Sequence, residues 1–99
     1  MFVVVQHQLT DLQTAFVLGE RLQSGEGAPS GTRVIQFYPS QDGTLATCLW
    51  ESTAVSAVQA YVDETLGDAS VNLCYPVEES AAFAEAPRGI AQRSPALAA

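Results

Sequence analysis

Thr32-Arg33-Val34-Ile35-Gln36-Phe37-Tyr38-Pro39-Ser40-Gln41-Asp42-Gly43-Thr44-Leu45-Ala46-Thr47-Cys48-Leu49-Trp50 is the stretch on which the fold turns. Two runs rich in β-branched and aromatic residues flank a cluster of turn formers. Asp42-Gly43 between such runs is a strong hairpin signal, because a tight turn needs residues that tolerate positive φ. The stretch therefore predicts strands over about Thr32 to Tyr38 and Thr44 to Trp50, joined as an antiparallel pair.

Working outward, Gly25-Glu26-Gly27-Ala28-Pro29-Ser30-Gly31 is too rich in breakers for anything but a loop. Before it, Leu12, Phe16, Gly19 and Leu22 recur at helical spacing, flanked by Ala15 and Leu18, and the helix is expected to end near Ser24. Thr10-Asp11-Leu12-Gln13 has the form of a capping box, with Thr10 as N-cap. Residues 2–9 read as the first strand. After the hairpin, Ser52 or Thr53 can cap a second helix that carries Val55, Val58, Val62 and Leu66 on one face. Gly67 sits where a helix C-terminal glycine belongs, and Val71 to Val77 reads as the last strand. The order β-α-β-β-α-β is the ferredoxin-like, split-βαβ arrangement. Right-handed crossovers place both helices on one face of a four-stranded antiparallel sheet with strand order 4-1-3-2. Glu78 to Glu85 can form a short helix, which makes residues 1–85 one α+β domain. Residues 86–99 form a tail, or an arm docking Ile90 and Leu97 on a partner subunit.

Composition narrows the function classes. The net charge is −7, there is no lysine, and the four cations are Arg21, Arg33, Arg88 and Arg93. No basic patch for phosphates can be assembled from them, which argues against nucleic acid and against anionic membrane surfaces. No apolar run is long enough to span a bilayer, and the first residues lack the basic segment of a signal peptide. Two cysteines are too few for a disulfide scaffold, so the cytoplasm is the expected compartment. Charged residues are only 15% of the chain, which leaves surface undefended by charge and favours self-association.

Strand alternation divides the sheet into two faces. One set is Phe2, Val4, Ile35, Phe37, Ala46, Cys48, Trp50 and Cys74, and it is apolar enough to lie under the helices. The other is Val3, Val5, His7, Val34, Gln36, Tyr38, Leu45, Thr47, Leu49, Glu51, Val71, Leu73 and Tyr75. That mixture is too apolar for a solvated face, and its expected cover is the same face of a second copy. Gln36, Tyr38, Thr47 and Tyr75 are then candidate ligand-binding residues in the space between sheets, since pockets are mostly apolar with few placed polar groups. His7 and Glu51 form the candidate catalytic pair: a histidine beside a carboxylate can serve as an oriented general base. Across a dimer the same two could contribute to a metal site; the single histidine excludes a multi-histidine metal site within one subunit, and no cofactor is expected. Cys48 and Cys74 are placed on one face about 9–10 Å apart, with strand one between them, which is beyond disulfide reach.

Asp42-Gly43-Thr44-Leu45-Ala46-Thr47-Cys48-Leu49-Trp50-Glu51, followed by Ala57-Val58-Gln59-Ala60-Tyr61, resembles the dimeric α+β barrel superfamily. The likeness is strongest to its small uncharacterised bacterial members related to a nickel-binding protein, and it covers roughly residues 2 to 77. The resemblance implies two ferredoxin-like subunits whose sheets face one another across a cavity. Many of those proteins carry a histidine where Tyr61 stands here, and His7 is the sole histidine of this chain. The superfamily holds cofactor-free monooxygenases, isomerases and proteins without known activity, so the resemblance leaves the chemistry open. The leading expectation is a small homodimeric ligand-binding or accessory protein for a small apolar or aromatic ligand. The alternative is a cofactor-independent monooxygenase or isomerase acting on an aromatic or lactone substrate, with His7 as base.

Overall fold

A computed structural model of the chain describes residues 1–92. Its elements are β1 (Phe2–Leu9), α1 (Leu12–Ser24), β2 (Arg33–Pro39), β3 (Leu45–Glu51), α2 (Val55–Leu66), a 3-10 turn over Gly67–Ala69, and β4 (Ser70–Pro76). The four strands form one antiparallel sheet in the order β2-β3-β1-β4, which is the expected 4-1-3-2 read from the other edge. The β2–β3 hairpin closes through Ser40 N–H donating to Leu45 O, and Gly43 takes the φ of +77° that its turn demands. Gly67 ends α2 with φ +53°, again as the sequence requires.

The caps differ in detail from the sequence reading. Asp11, not Thr10, caps α1, its carboxylate accepting from Thr14 N–H, because Thr10 spends its hydroxyl on Asp68 O. Ala54 starts α2 with no side-chain cap bond; Ser52 is instead buried against Thr32, their hydroxyls 2.8 Å apart. Glu78 to Glu85 makes a single turn and no helix, with Ala81 and Ala82 N–H both bonded to Glu78 O. Residues 86–92 run past β2 across a groove of about 670 Å³ lined by Ile35, Tyr38, Pro87 and Ile90. Leu97 lies outside the described residues.

The faces are sorted by strand register, and here the sequence reading is corrected. Beneath the helices lie the rows Val34–Trp50–Val3–Pro76, Phe37–Cys48–Val5–Cys74 and Ala46–His7–Asn72. On the open face lie Arg33–Glu51–Phe2, Gln36–Leu49–Val4–Tyr75, Tyr38–Thr47–Gln6–Leu73 and Leu45–Gln8–Val71. So Val3, Val5 and His7 are buried, while Phe2 and Val4 turn to the open side. Phe2-Val3-Val4-Val5 is apolar at every position and carries no phase, so only Gln6-His7-Gln8 sets it. Two glutamine amides keep the open face and the histidine, more easily buried, goes under. In β2 a bulge at Ile35, between Val34 and Gln36, puts Val34 under the helices and keeps Gln36 on the open side.

Trp50, Val3, Val5, Val58 and Val62 are the fully buried centre. Trp50 meets Tyr61 edge to face, ring centroids 5.9 Å apart at 84°. The Tyr61 hydroxyl donates to the carbonyl of Glu26, at 2.6 Å, and lies within 3.1 Å of Arg21 O, tying α2 to the end of α1. α1 is held less closely along its first turns: Ala15 and Leu22 are buried, yet Phe16 is 79% exposed.

Candidate functional site

The open face carries five of the six candidate site residues; Gln36, Tyr38 and Thr47 lie together on β2 and β3, and Tyr75 stands on β4 at the other edge. Tyr38 pairs with Thr47, Gln36 pairs with Leu49 one row along, and Tyr75 completes that row beyond Val4. Around them Leu45, Val71 and Leu73 are exposed, the last two 62% and 60%. Glu51 shares this face but stands at its end, where its carboxylate accepts from Arg33 at 3.0 Å in an exposed pair. Gln6 and Gln8 occupy the central column, which the sequence reading had assigned to Val5 and His7.

His7 and Glu51 do not meet. They lie on opposite faces, and Glu51 pairs with Phe2 while His7 pairs with Ala46. The oriented-base pair and a metal site using both residues are thereby overturned. Among the described residues, no group of three or more His, Cys, Asp or Glu could hold a metal ion.

His7 has other partners. Its Nδ1 is 2.7 Å from Asn72 Oδ1 and its Nε2 is 3.2 Å from Cys48 Sγ. Hydrogen positions follow from the far end of this chain. Asp63, on α2, accepts from Gln59 Nε2 and from Asn72 Nδ2, both at 2.9 Å. The carboxylate fixes the Asn72 amide with its oxygen toward His7, and Ser70 Oγ donates to that same oxygen at 2.7 Å. Nδ1 of His7 must therefore carry the proton, which leaves Nε2 as an acceptor facing the Cys48 thiol. Burial holds the imidazole below its ordinary pKa of 6.5, partly opposed by the Asn72 bond. Burial, with Cys74 nearby, pushes the Cys48 thiol up to about 12, so a neutral thiol faces a neutral imidazole. Cys74 is raised to about 11 by burial and then by the charge of Asp63. Both cysteines are free, on either side of Val5, as the strand order predicts.

This group opens onto a cleft of about 300 Å³ between α1 and the sheet. His7, Ala46 and Cys48 are buried along it, while Phe16, Glu20 and Phe37 are exposed at its mouth. Trp50 also borders it, and its buried indole N–H meets no oxygen or nitrogen acceptor among the described residues and turns instead toward the Cys48 thiol, whose rise in pKa it partly opposes. Sequence reasoning missed Cys48, Asn72 and Trp50 as site residues. The available signal was the unplaced phase of β1: once His7 is turned under the helices, Asn72 is beside it in register and Cys48 is on the adjoining row.

No protein-family model, curated protein or solved structure matches the chain.

Proposed function

We propose that the chain is a small homodimeric ligand-binding or accessory protein, two copies pairing through their open sheet faces. The observation that carries this reading is the cross-strand patch of Leu45, Val71, Leu73 and Tyr75, all exposed, with the half-buried Leu49 among them. An antiparallel sheet with so much apolar surface is best covered by another sheet. The dimeric α+β barrel that the sequence resembles is such an arrangement. Gln36, Tyr38 and Thr47 lie beside the patch and offer hydroxyl and amide groups to a small apolar or aromatic ligand held between the sheets. Two free thiols accord with a cytoplasmic setting, and among the described residues no helix is long and apolar enough to cross a membrane.

Light scattering after size exclusion, over a wide micromolar range, tests the pairing. A dimeric mass that becomes monomeric on Leu73→Arg is the expected result; a monomer throughout sinks the proposal. A thermal-shift screen with small aromatic compounds tests the ligand.

A second reading, a cofactor-independent oxygenase or isomerase with His7 as base, draws on one observation. The unprotonated Nε2 of His7 belongs to the α1 cleft, away from the open sheet face. Unchanged turnover of an aromatic or lactone substrate in His7→Ala would sink it.

A further inference from the structure

We infer that the cleft beneath α1 is an acyl-transfer site, with Cys48 as nucleophile, His7 as its base and Asn72 as the residue that positions the base. The inference does not depend on how copies of the chain pair. Nucleophilic catalysis needs a nucleophile within hydrogen-bond reach of a base that a third group orients. Cys48 Sγ, His7 Nε2, His7 Nδ1 and Asn72 Oδ1 make that series in order, at 3.2 and 2.7 Å. The same order of cysteine, histidine and asparagine recurs on unrelated folds, so it is identified by geometry and not by chain position. Asp63, Gln59 and Ser70 fix Asn72 in the orientation that makes Nε2 the acceptor facing the Cys48 thiol.

Two further features bear on the substrate. The Trp50 indole borders this cleft, and its buried N–H, turned toward the Cys48 thiol, is the donor nearest to where an oxygen would gain negative charge. Leu9, Phe16, Leu22, Val34 and Phe37 make the lining apolar, and Glu20 at the mouth disfavours anions. The substrate class is therefore an uncharged ester with a short apolar acyl chain. As Cys48 Sγ bonds to the carbonyl carbon, the thiol proton passes to Nε2 and the carbonyl π pair moves onto oxygen. Collapse re-forms the carbonyl and breaks the bond to the alcohol oxygen, which leaves with the proton from Nε2. Water, giving a proton to the same nitrogen, then cleaves the thioester, releasing the acid and restoring the thiol.

The test uses 4-nitrophenyl butyrate with the full chain, following nitrophenol release and mapping the butyryl group by peptide mass. Saturable release with butyryl on Cys48 is expected, unchanged in Cys74→Ala and lost in Cys48→Ala. His7→Gln is expected to slow acylation by about 100-fold or more. Gly19 lines the cleft, and a side chain there would meet nothing within 4 Å of its Cβ, so Gly19→Leu is expected to fill the cleft and abolish acylation with the fold retained. Asn72→Ala is expected to slow acylation and to move its acid limb to lower pH, since the Asn72 bond raises the imidazole. The titratable groups around that imidazole are Cys48 on β3, Cys74 on β4, Asp63 on α2 and Glu20 on α1. If His7→Gln does not fold, Gly19→Leu and the acid limb of the unaltered chain decide. Folded protein without butyryl on Cys48, or acylation of Cys48 indifferent to Gly19→Leu, overturns the inference.

Discussion

Asn72 Oδ1 lies 2.7 Å from His7 Nδ1, and that contact sets which nitrogen of the chain's single histidine holds a proton. Burial keeps the ring neutral in the folded state, while the unfolded ring titrates near 6.5. Between the two pKa values the unfolded chain binds more protons. Stability is therefore expected to be full above about pH 6.5 and to fall as pH drops below it, by no more than about 1.4 kcal/mol per pH unit, levelling below the folded pKa. Denaturant titrations at successive pH values check this, and His7→Gln is expected to flatten the profile in that window.

Leu73 stands 60% exposed on the open face beside Gln6, touching little of its own chain's core. Leu73→Arg is expected to change monomer stability by about 0.5 kcal/mol or less, as surface substitutions do. Its effect is expected in assembly: Tm should lose any dependence on protein concentration that the unaltered chain shows.

Gly19 is interior to α1, and a Cβ there meets nothing within 4 Å. Gly19→Ala is expected to stabilise the chain by about 0.5–1 kcal/mol, through the lower backbone entropy of the unfolded state. A urea midpoint raised without a change in slope is the matching readout.

Tyr61→Phe removes the hydroxyl that reaches Glu26 O and Arg21 O while keeping the ring against Trp50. A loss of about 1–2 kcal/mol is expected, with Glu26 O left short of a donor while Arg21 O keeps those of Gly25 and Glu26 N–H. Faster amide exchange confined to the end of α1 and the loop after it would mark where the tie was cut.

The elements and their order were legible because breakers are concentrated between them: Gly25 to Gly31, Pro39 to Gly43 and Gly67 each end a periodic run. The faces were legible only in part. β3 alternates cleanly, so Cys48 and Trp50 were placed correctly, whereas Phe2 to Val5 could satisfy either face and the bulge at Ile35 shifts the phase within β2. The candidate site inherited that error. With β1 turned over, His7 left Glu51 and the open face for Asn72 and Cys48, residues that alternation alone gave no reason to join to it. Gln36, Tyr38, Thr47 and Tyr75 kept their place because their strands carry phase of their own on that side.

Ile35 has one more consequence, for how copies of this chain can meet. A sheet whose outer strands β2 and β4 were straight and unbroken would invite further strands at either side. The bulge bends β2, and Pro39 and Pro76 withhold an amide proton near the end of each outer strand. Lateral growth into open-ended ribbons is therefore hindered at both margins of the sheet.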